Sequence, residues 1–162
     1  MLKILVIYSS KGGNTRKLAE ALAQGAKGEG IRVTVKSASE TTMEDLADSH
    51  GIAMGSPVYF GVMSSELKDL IDRSVSVRGK LAGKVGTAFC SSGHPTGGKE
   101  TTMMSILQAM LIHEMVVIGD PIVAGGHYGV AAVGEPKDKV LEAAGKQGAY
   151  LAEVARRMAN FP

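Results

Sequence analysis

Five short apolar runs, set apart by turns and by stretches of helical periodicity, constrain this chain more than any other feature of its sequence. The first, Ile4-Leu5-Val6-Ile7-Tyr8, is continuous and rich in β-branched residues, the pattern of a strand buried on both faces. Arg32 to Val35 alternates, as a more exposed strand does. Gly51 to Gly55 is the third run, ended by Ser56-Pro57; Val85 to Cys90 is the fourth and Met115 to Ile118 the fifth. After the first run, Leu18, Leu22 and Gly25 recur at helical spacing, with Arg16, Lys17 and Glu20 opposite them. Ser64 is placed to cap a helix carrying Leu67, Leu70 and Ile71, with Glu66 well sited against the helix dipole. The next helix is expected to bury Met103, Ile106, Leu107, Met110 and Leu111. Gly119 to Pro136 reads as a long glycine-containing loop. The last helix, Lys137 to Asn160, aligns Val140, Ala144, Leu151, Val154 and Met158 in one stripe. Strands alternating with helices predict an α/β fold, a doubly wound parallel sheet covered on both faces. Right-handed crossovers then leave few topologies, with ligands held at the carboxyl ends of the strands.

Composition narrows the function. A chain of 162 residues without boundary, repeat or charge block is expected to form a single domain, 1–162. Net charge is +2, too balanced to imply nucleic acid or a membrane surface. No apolar run approaches the ~18 residues of a bilayer span, and Ile4 to Tyr8 is too short for a signal-peptide core. One cysteine excludes an internal disulfide and a four-thiolate zinc site, so no metal is expected. A cytoplasmic protein is the default expectation. Glycine, at 21 of 162 residues, is nearly twice the ~7% usual in proteins, which points to tight loops where backbone must approach something closely.

Three such loops follow the first, third and fourth strands. Ser9-Ser10-Lys11-Gly12-Gly13-Asn14-Thr15 opens directly into a helix, where consecutive N–H groups, hydroxyls and the positive helix end suit a phosphate. It reads either as a phosphate cradle or as a plain turn capped by Asn14 or Thr15; the dinucleotide fingerprint G-x-G-x-x-G is absent. Pro57-Val58-Tyr59-Phe60-Gly61 places two adjacent aromatics where a flat ligand could stack, or where they could pack on the sheet edge. Ser91-Ser92-Gly93-His94-Pro95-Thr96-Gly97-Gly98-Lys99-Glu100 offers small residues and amides for a polar ring edge. It falls short of a P-loop because Glu100 stands where the magnesium-binding hydroxyl is required.

Taken together the loops resemble those of flavodoxin-like FMN proteins. Gly13-Asn14-Thr15 is similar to the Gly-Asn-Thr of the flavodoxin phosphate loop. Gly55-Ser56-Pro57-Val58-Tyr59-Phe60-Gly61 and Gly97-Gly98-Lys99-Glu100 resemble segments of WrbA-type NAD(P)H:quinone oxidoreductases and the related NADPH-dependent FMN reductases. The resemblance implies a flavodoxin-like three-layer sandwich with a five-stranded parallel sheet of order 2-1-3-4-5. It implies FMN as cofactor, its phosphate held by Ser9, Ser10, Lys11, Gly12, Gly13, Asn14 and Thr15. The ring system would be lined by Pro57, Val58, Tyr59, Phe60 and Gly61, and its polar edge bonded by Ser91, Ser92, Gly93, Gly97 and Gly98. The chain departs from the pattern in three ways. Thr96 stands where the family often has His before the Gly-Gly pair, Tyr59 where it often has Arg, and the chain is shorter than typical members.

The expected function is an FMN-dependent oxidoreductase passing electrons from NAD(P)H to a quinone-like acceptor. His94, His127 and Tyr128 are candidates to donate a proton or orient that acceptor. Lys11, Arg16 and Lys99 are candidates for a basic cluster selecting NADPH. A homo-oligomer, dimer or tetramer, is expected from the resemblance, with Val58, Phe60, Val62 and Met63 suited to the contact. The alternative is a flavodoxin-type electron carrier fed by protein partners. Against it stand the charge of +2, where carriers are strongly acidic, and a third loop without an aromatic between Ser91 and Met104. Cys90 is expected to be a small core residue, and His50 and His113 have no assigned partner.

Overall fold

A computed structural model describes residues 1–160. Its elements in chain order are β1 (Leu2–Tyr8), α1 (Asn14–Ala26), β2 (Ile31–Ser37), α2 (Met43–Asp48), β3 (Gly51–Pro57), α3 (Ser65–Arg73), β4 (Val85–Ser92), α4 (Lys99–Ile112), β5 (Val116–Val117), β6 (Ala131–Val133) and α5 (Asp138–Ala159). Short 3-10 turns follow α3, at Ser74–Lys80, and β5, at Ile122–Ala124. All pairings between these strands are parallel, and the sheet order is β2-β1-β3-β4-β5 with β6 also paired to β4. The expected α/β fold and the order 2-1-3-4-5 are therefore present.

Strand alternation sorts the core into two halves. Leu5 and Ile7 of β1, with Ile52 and Met54 of β3, face Leu67 and Leu70 of α3 and Ile106 of α4. Ile4 and Val6, with Ala53, Val85 and Phe89, face Leu18 and Leu22 of α1 and Leu151 of α5. Each inner strand is buried on both sides because successive side chains point to opposite faces, each covered by helices. The two helices on the second face touch backbone to backbone. A Cβ on Gly25 would stand 1.9 Å from the Gly145 carbonyl oxygen, and one on Gly148 1.9 Å from that of Leu22.

Four expectations need correction. A short helix, α2, lies between β2 and β3; Thr42 and Asp45 form a reciprocal capping box at its start. The fifth run keeps only Val116–Val117 as strand, and the loop reading of 119–136 missed β6, which gives the sheet six strands. Leu111 is exposed rather than buried, as is Ile112, although Met110 before them and His113 after them are buried. The buried stripe of α5 is Ala144, Gln147, Gly148, Leu151, Ala152 and Ala155; Val140 and Val154 sit at its flanks and Met158 is exposed. Small residues take the contact face because α1 lies so close.

Candidate functional site

β1, β3 and β4 end at one edge of the sheet, and their loops meet there. The first loop turns through Gly13, whose φ of +90° places it in the left-handed region, and Gly13 N–H donates to Ser10 Oγ at 3.0 Å. No side chain caps α1. Its first-turn amides at Asn14, Thr15 and Arg16 have no intrahelical acceptor, since the first helical bond runs from Lys17 N–H to Gly13 O. These donors and the positive helix end face the cleft mouth, the chemistry of an anion cradle.

Hydroxyl pairs lock the three loops together. Ser9 Oγ lies 2.5 Å from Ser64 Oγ, and Thr15 Oγ1 lies 2.8 Å from Ser91 Oγ; all four residues are buried. Ser64 also caps α3 by accepting from Leu67 N–H, and donates its own N–H to Ser56 Oγ. Val58 N–H donates to Ser91 O at 2.9 Å, joining the second and third loops.

The second loop is a tight reversal. Tyr59 and Val62 exchange both backbone hydrogen bonds at 3.1 Å, and the two residues between them, Phe60 and Gly61, have φ of +50° and +79°. Positive φ at both positions is the signature of the mirror-image hairpin turn, which glycine adopts freely and phenylalanine does not. The Phe60 ring is fully exposed, whereas Tyr59 is at the mouth of the cleft with Lys11 Nζ 5.7 Å from its ring centroid. In the third loop Ser92 Oγ donates to His94 O and accepts from His94 N–H. Gly98, at φ +102°, meets the hairpin closely: a Cβ there would stand 2.8 Å from Gly61 Cα.

Between the loops lies a cleft of about 200 Å³, lined by Ser10, Lys11, Gly12, Asn14 and Thr15, by Pro57, Val58 and Tyr59, and by Ser91, Ser92 and Gly93. Eleven of the seventeen residues expected to hold a cofactor thus line one cavity. Of the others, Ser9 lies beneath it bonded to Ser64, and Gly13 is the turn that opens α1. Gly61 and Gly98 meet each other, Gly97 packs against Ser92 Oγ, and Phe60 points to solvent. His94 is an exposed loop residue whose Nδ1 accepts from Thr96 N–H at 3.2 Å. His127 and Tyr128 line a neighbouring cavity of about 410 Å³ between α4, residues 119–131 and the start of α5, with Lys99, Glu100 and Lys139 among its walls. The carboxylate of Asp120 shapes that cavity by accepting from the N–H groups of Gly126 and His127 at 2.9 and 2.8 Å. Sequence reading missed Ser64, Asp120 and Gln147. Ser64 was legible only as a cap, and the other two act on partners set by the fold.

Cys90 is fully buried, and burial, with Glu100 adding to it, pushes its thiol up to about 12. A thiol so protonated at neutral pH is a packing residue, not a nucleophile.

The family model for NADPH-dependent FMN reductase matches residues 34–129. An NAD(P)H dehydrogenase (quinone) of Archaeoglobus fulgidus is 38% identical, the alignment covering 98% of this chain and all of that one. A flavodoxin of Aquifex aeolicus is 39% identical over 94% of this chain and 86% of its own. Among solved structures, a flavodoxin, WrbA-like protein from Agrobacterium tumefaciens superposes with a TM-score of 0.85 at 27% identity, covering 97% of this chain and 99% of that one. The three-loop cleft thus sits on a chain that belongs to the NADPH-dependent FMN reductase family.

Proposed function

We propose that residues 1–162 work as one flavodoxin-like domain that binds FMN and passes electrons from NAD(P)H to a quinone-like acceptor. The observation that carries the reading is the cleft itself, where first-turn amides of α1 without an intrahelical acceptor stand beside an aromatic ring and a small-residue wall. Its donor set fits FMN. The open space around Gly12 leaves room for a phosphate at the helix end. The half-exposed Tyr59 ring offers a stacking surface, and Ser91 to Gly93 present small polar groups. Relatives named NAD(P)H dehydrogenase (quinone) that align over nearly the whole chain support the reaction class.

FMN, when bound, would supply the two-electron chemistry that couples reduced nicotinamide to the acceptor. The chain's own residues bind and orient. Ser10 to Thr15 would hold the phosphate; Pro57, Val58 and Tyr59 would line the ring; Ser91, Ser92 and Gly93 would bond its polar edge. Phe60, Gly61, Gly97 and Gly98 shape the loops behind these contacts. His127 and Tyr128, which line the neighbouring cavity, would orient an acceptor entering it, and His94, in the exposed third loop, would donate a proton. We also assign the protein to the cytoplasm, and to a homo-oligomer in which exposed Phe60 and Val62 meet a neighbouring subunit.

A carrier role is the second reading, and the flavodoxin relative is the observation that favours it. Anaerobic titration separates the two. The FMN-loaded protein is mixed with NADH or NADPH and the flavin absorbance followed. Rapid bleaching, reversed by a quinone, is expected; a bound flavin that neither nucleotide reduces would sink the oxidoreductase reading.

A further inference from the structure

The outer edge of β4 is covered in two pieces. On this edge β5 pairs with Val85 and Gly86 and β6 with Cys90, Ser91 and Ser92, while Thr87 to Phe89, paired with β3 on the other side, have no strand alongside among the described residues. The neighbouring chain leaves the sheet at Ile118, whose N–H donates to Gly86 O at 2.9 Å. It returns at Val130, whose carbonyl accepts from Cys90 N–H at 3.1 Å. The excursion between these points carries Asp120, His127 and Tyr128.

Gln147 of α5 fills the gap. Its side chain is fully buried, and its Nε2 donates to Thr87 Oγ1 at 2.7 Å and to Ala88 O at 2.8 Å. Its Oε1 accepts from Val130 N–H at 2.9 Å. The Thr87 hydroxyl donates onward to Ile118 O at 2.9 Å, so one side-chain amide reaches both ends of the excursion. Both amide hydrogens and the carbonyl oxygen of Gln147 are engaged. A shorter asparagine could not reach, a glutamate could not donate when ionised, and a methionine could do neither.

We propose that Gln147 is a positioning residue for the cofactor cleft. By standing in for the missing length of strand, it fixes where Val130 re-enters the sheet, and with it the wall formed by Ser91, Ser92 and Gly93. The route is continuous. Val130 is bonded to Cys90, β6 runs beside Cys90 to Ser92, and Gly134 N–H closes on Ser92 O at 2.8 Å. Ser91 in turn holds the Thr15 hydroxyl at the start of α1. The inference rests on the FMN reading above.

Gln147→Met keeps the volume and removes all three bonds; Thr87→Val removes the hydroxyl that links Gln147 Nε2 to Ile118 O and leaves the bonds to Ala88 O and Val130 N–H. Each is measured as apo protein, shown folded by circular dichroism, for FMN Kd by flavin fluorescence and for backbone amide exchange by NMR. Gln147→Met is expected to weaken FMN binding about tenfold and Thr87→Val about threefold. In both, the Val130 and Cys90 amides should exchange faster while those of β1 stay protected. A residue that merely stabilised the fold would leave the Kd of the folded protein unchanged. FMN binding within twofold of wild type in Gln147→Met therefore overturns the proposal. If Gln147→Met does not fold, unchanged binding by Thr87→Val overturns it instead. A wild-type chain that takes no FMN overturns the functional reading and this inference together, whereas a binding wild type with equally tight variants overturns the inference alone.

Discussion

The hydroxyl of Thr15, on the first turn of α1, lies 2.8 Å from that of Ser91 near the end of β4, 76 residues further along the chain. Both residues are largely buried, so each hydroxyl depends on the other for part of its bonding. Together with the contact between Ser9 and Ser64, this pair holds the loops after β1, β3 and β4 in a fixed relation. The cleft is therefore organised by its own side chains before any ligand enters.

Thr15→Val keeps the shape of the side chain and strands the Ser91 hydroxyl. A buried hydroxyl left without its partner costs about 1–2 kcal/mol. Urea unfolding should show that loss, and flavin fluorescence titration should show FMN binding weakened about tenfold as the first and third loops part. Unchanged affinity would mean that the pair does not organise the cleft.

Phe60 occupies a left-handed backbone position at the hairpin tip with its ring in solvent. Phe60→Asn supplies the Asn-Gly pair that this turn favours. Relief of the strain, about 1 kcal/mol, should raise the thermal midpoint by about 2–4 °C in scanning calorimetry. A lower midpoint would show that the exposed ring contributes more than the backbone strain removes.

Gly148 allows α5 to lie against the Leu22 carbonyl of α1. Gly148→Ala improves helix propensity, yet its methyl would stand within the backbone of α1. Overpacking of about 1–3 kcal/mol outweighs the propensity gain of about 1 kcal/mol or less. Thermal denaturation should shift downward by several degrees, and a rise would mean that the two helices separate readily.

Two histidines make stability depend on pH. Burial, reinforced by Arg78, holds His113 below its ordinary pKa, and burial with Lys84 and Lys3 does the same for His50. Ser74 Oγ donates to Ile71 O, so His113 Nε2, 2.7 Å away, is the donor to Ser74, and His113 Nδ1 is buried with no partner among the described residues. Nδ1 must therefore stay unprotonated. The unfolded chain takes up protons more readily than the folded one, so both contributions are complete above the ordinary histidine range. They are lost as pH falls through about 6.5 toward the lower folded values. Urea midpoints should drop between pH 7.5 and 5.5, and His113→Gln, which can still donate to Ser74, should flatten the drop. Identical pH profiles for wild type and variant would remove His113 from the account.

Much of this molecule was legible without coordinates because the relevant physics is local. An apolar run buried on both faces, a glycine turn opening a helix and a serine cap at Ser64 are written into adjacent residues, and their order allowed few topologies. The same locality marked out the three loops that line the cleft. What stayed hidden depends on partners distant in sequence. The helix α2 has six residues and one fully buried side chain, Leu46, too short to show a period despite its capping box. Residues 131–133 have no strand pattern of their own and pair because β4 offers an open edge. Leu111 continues the apolar register of α4 yet stands exposed between buried Met110 and His113, and α5 faces α1 with alanine and glycine because the two backbones touch. Gln147 is the clearest case. A glutamine on a helix carries no mark of burial in sequence, and only the break between β5 and β6 gives its amide the three partners that fix it there. The sequence by itself determined the order of strands β1 to β5, the helices α1, α3, α4 and α5, and the loops of the cleft. Only the tertiary structure decided how those loops are held, because hydrogen-bond partners 17 to 76 residues apart become neighbours only when the sheet is assembled.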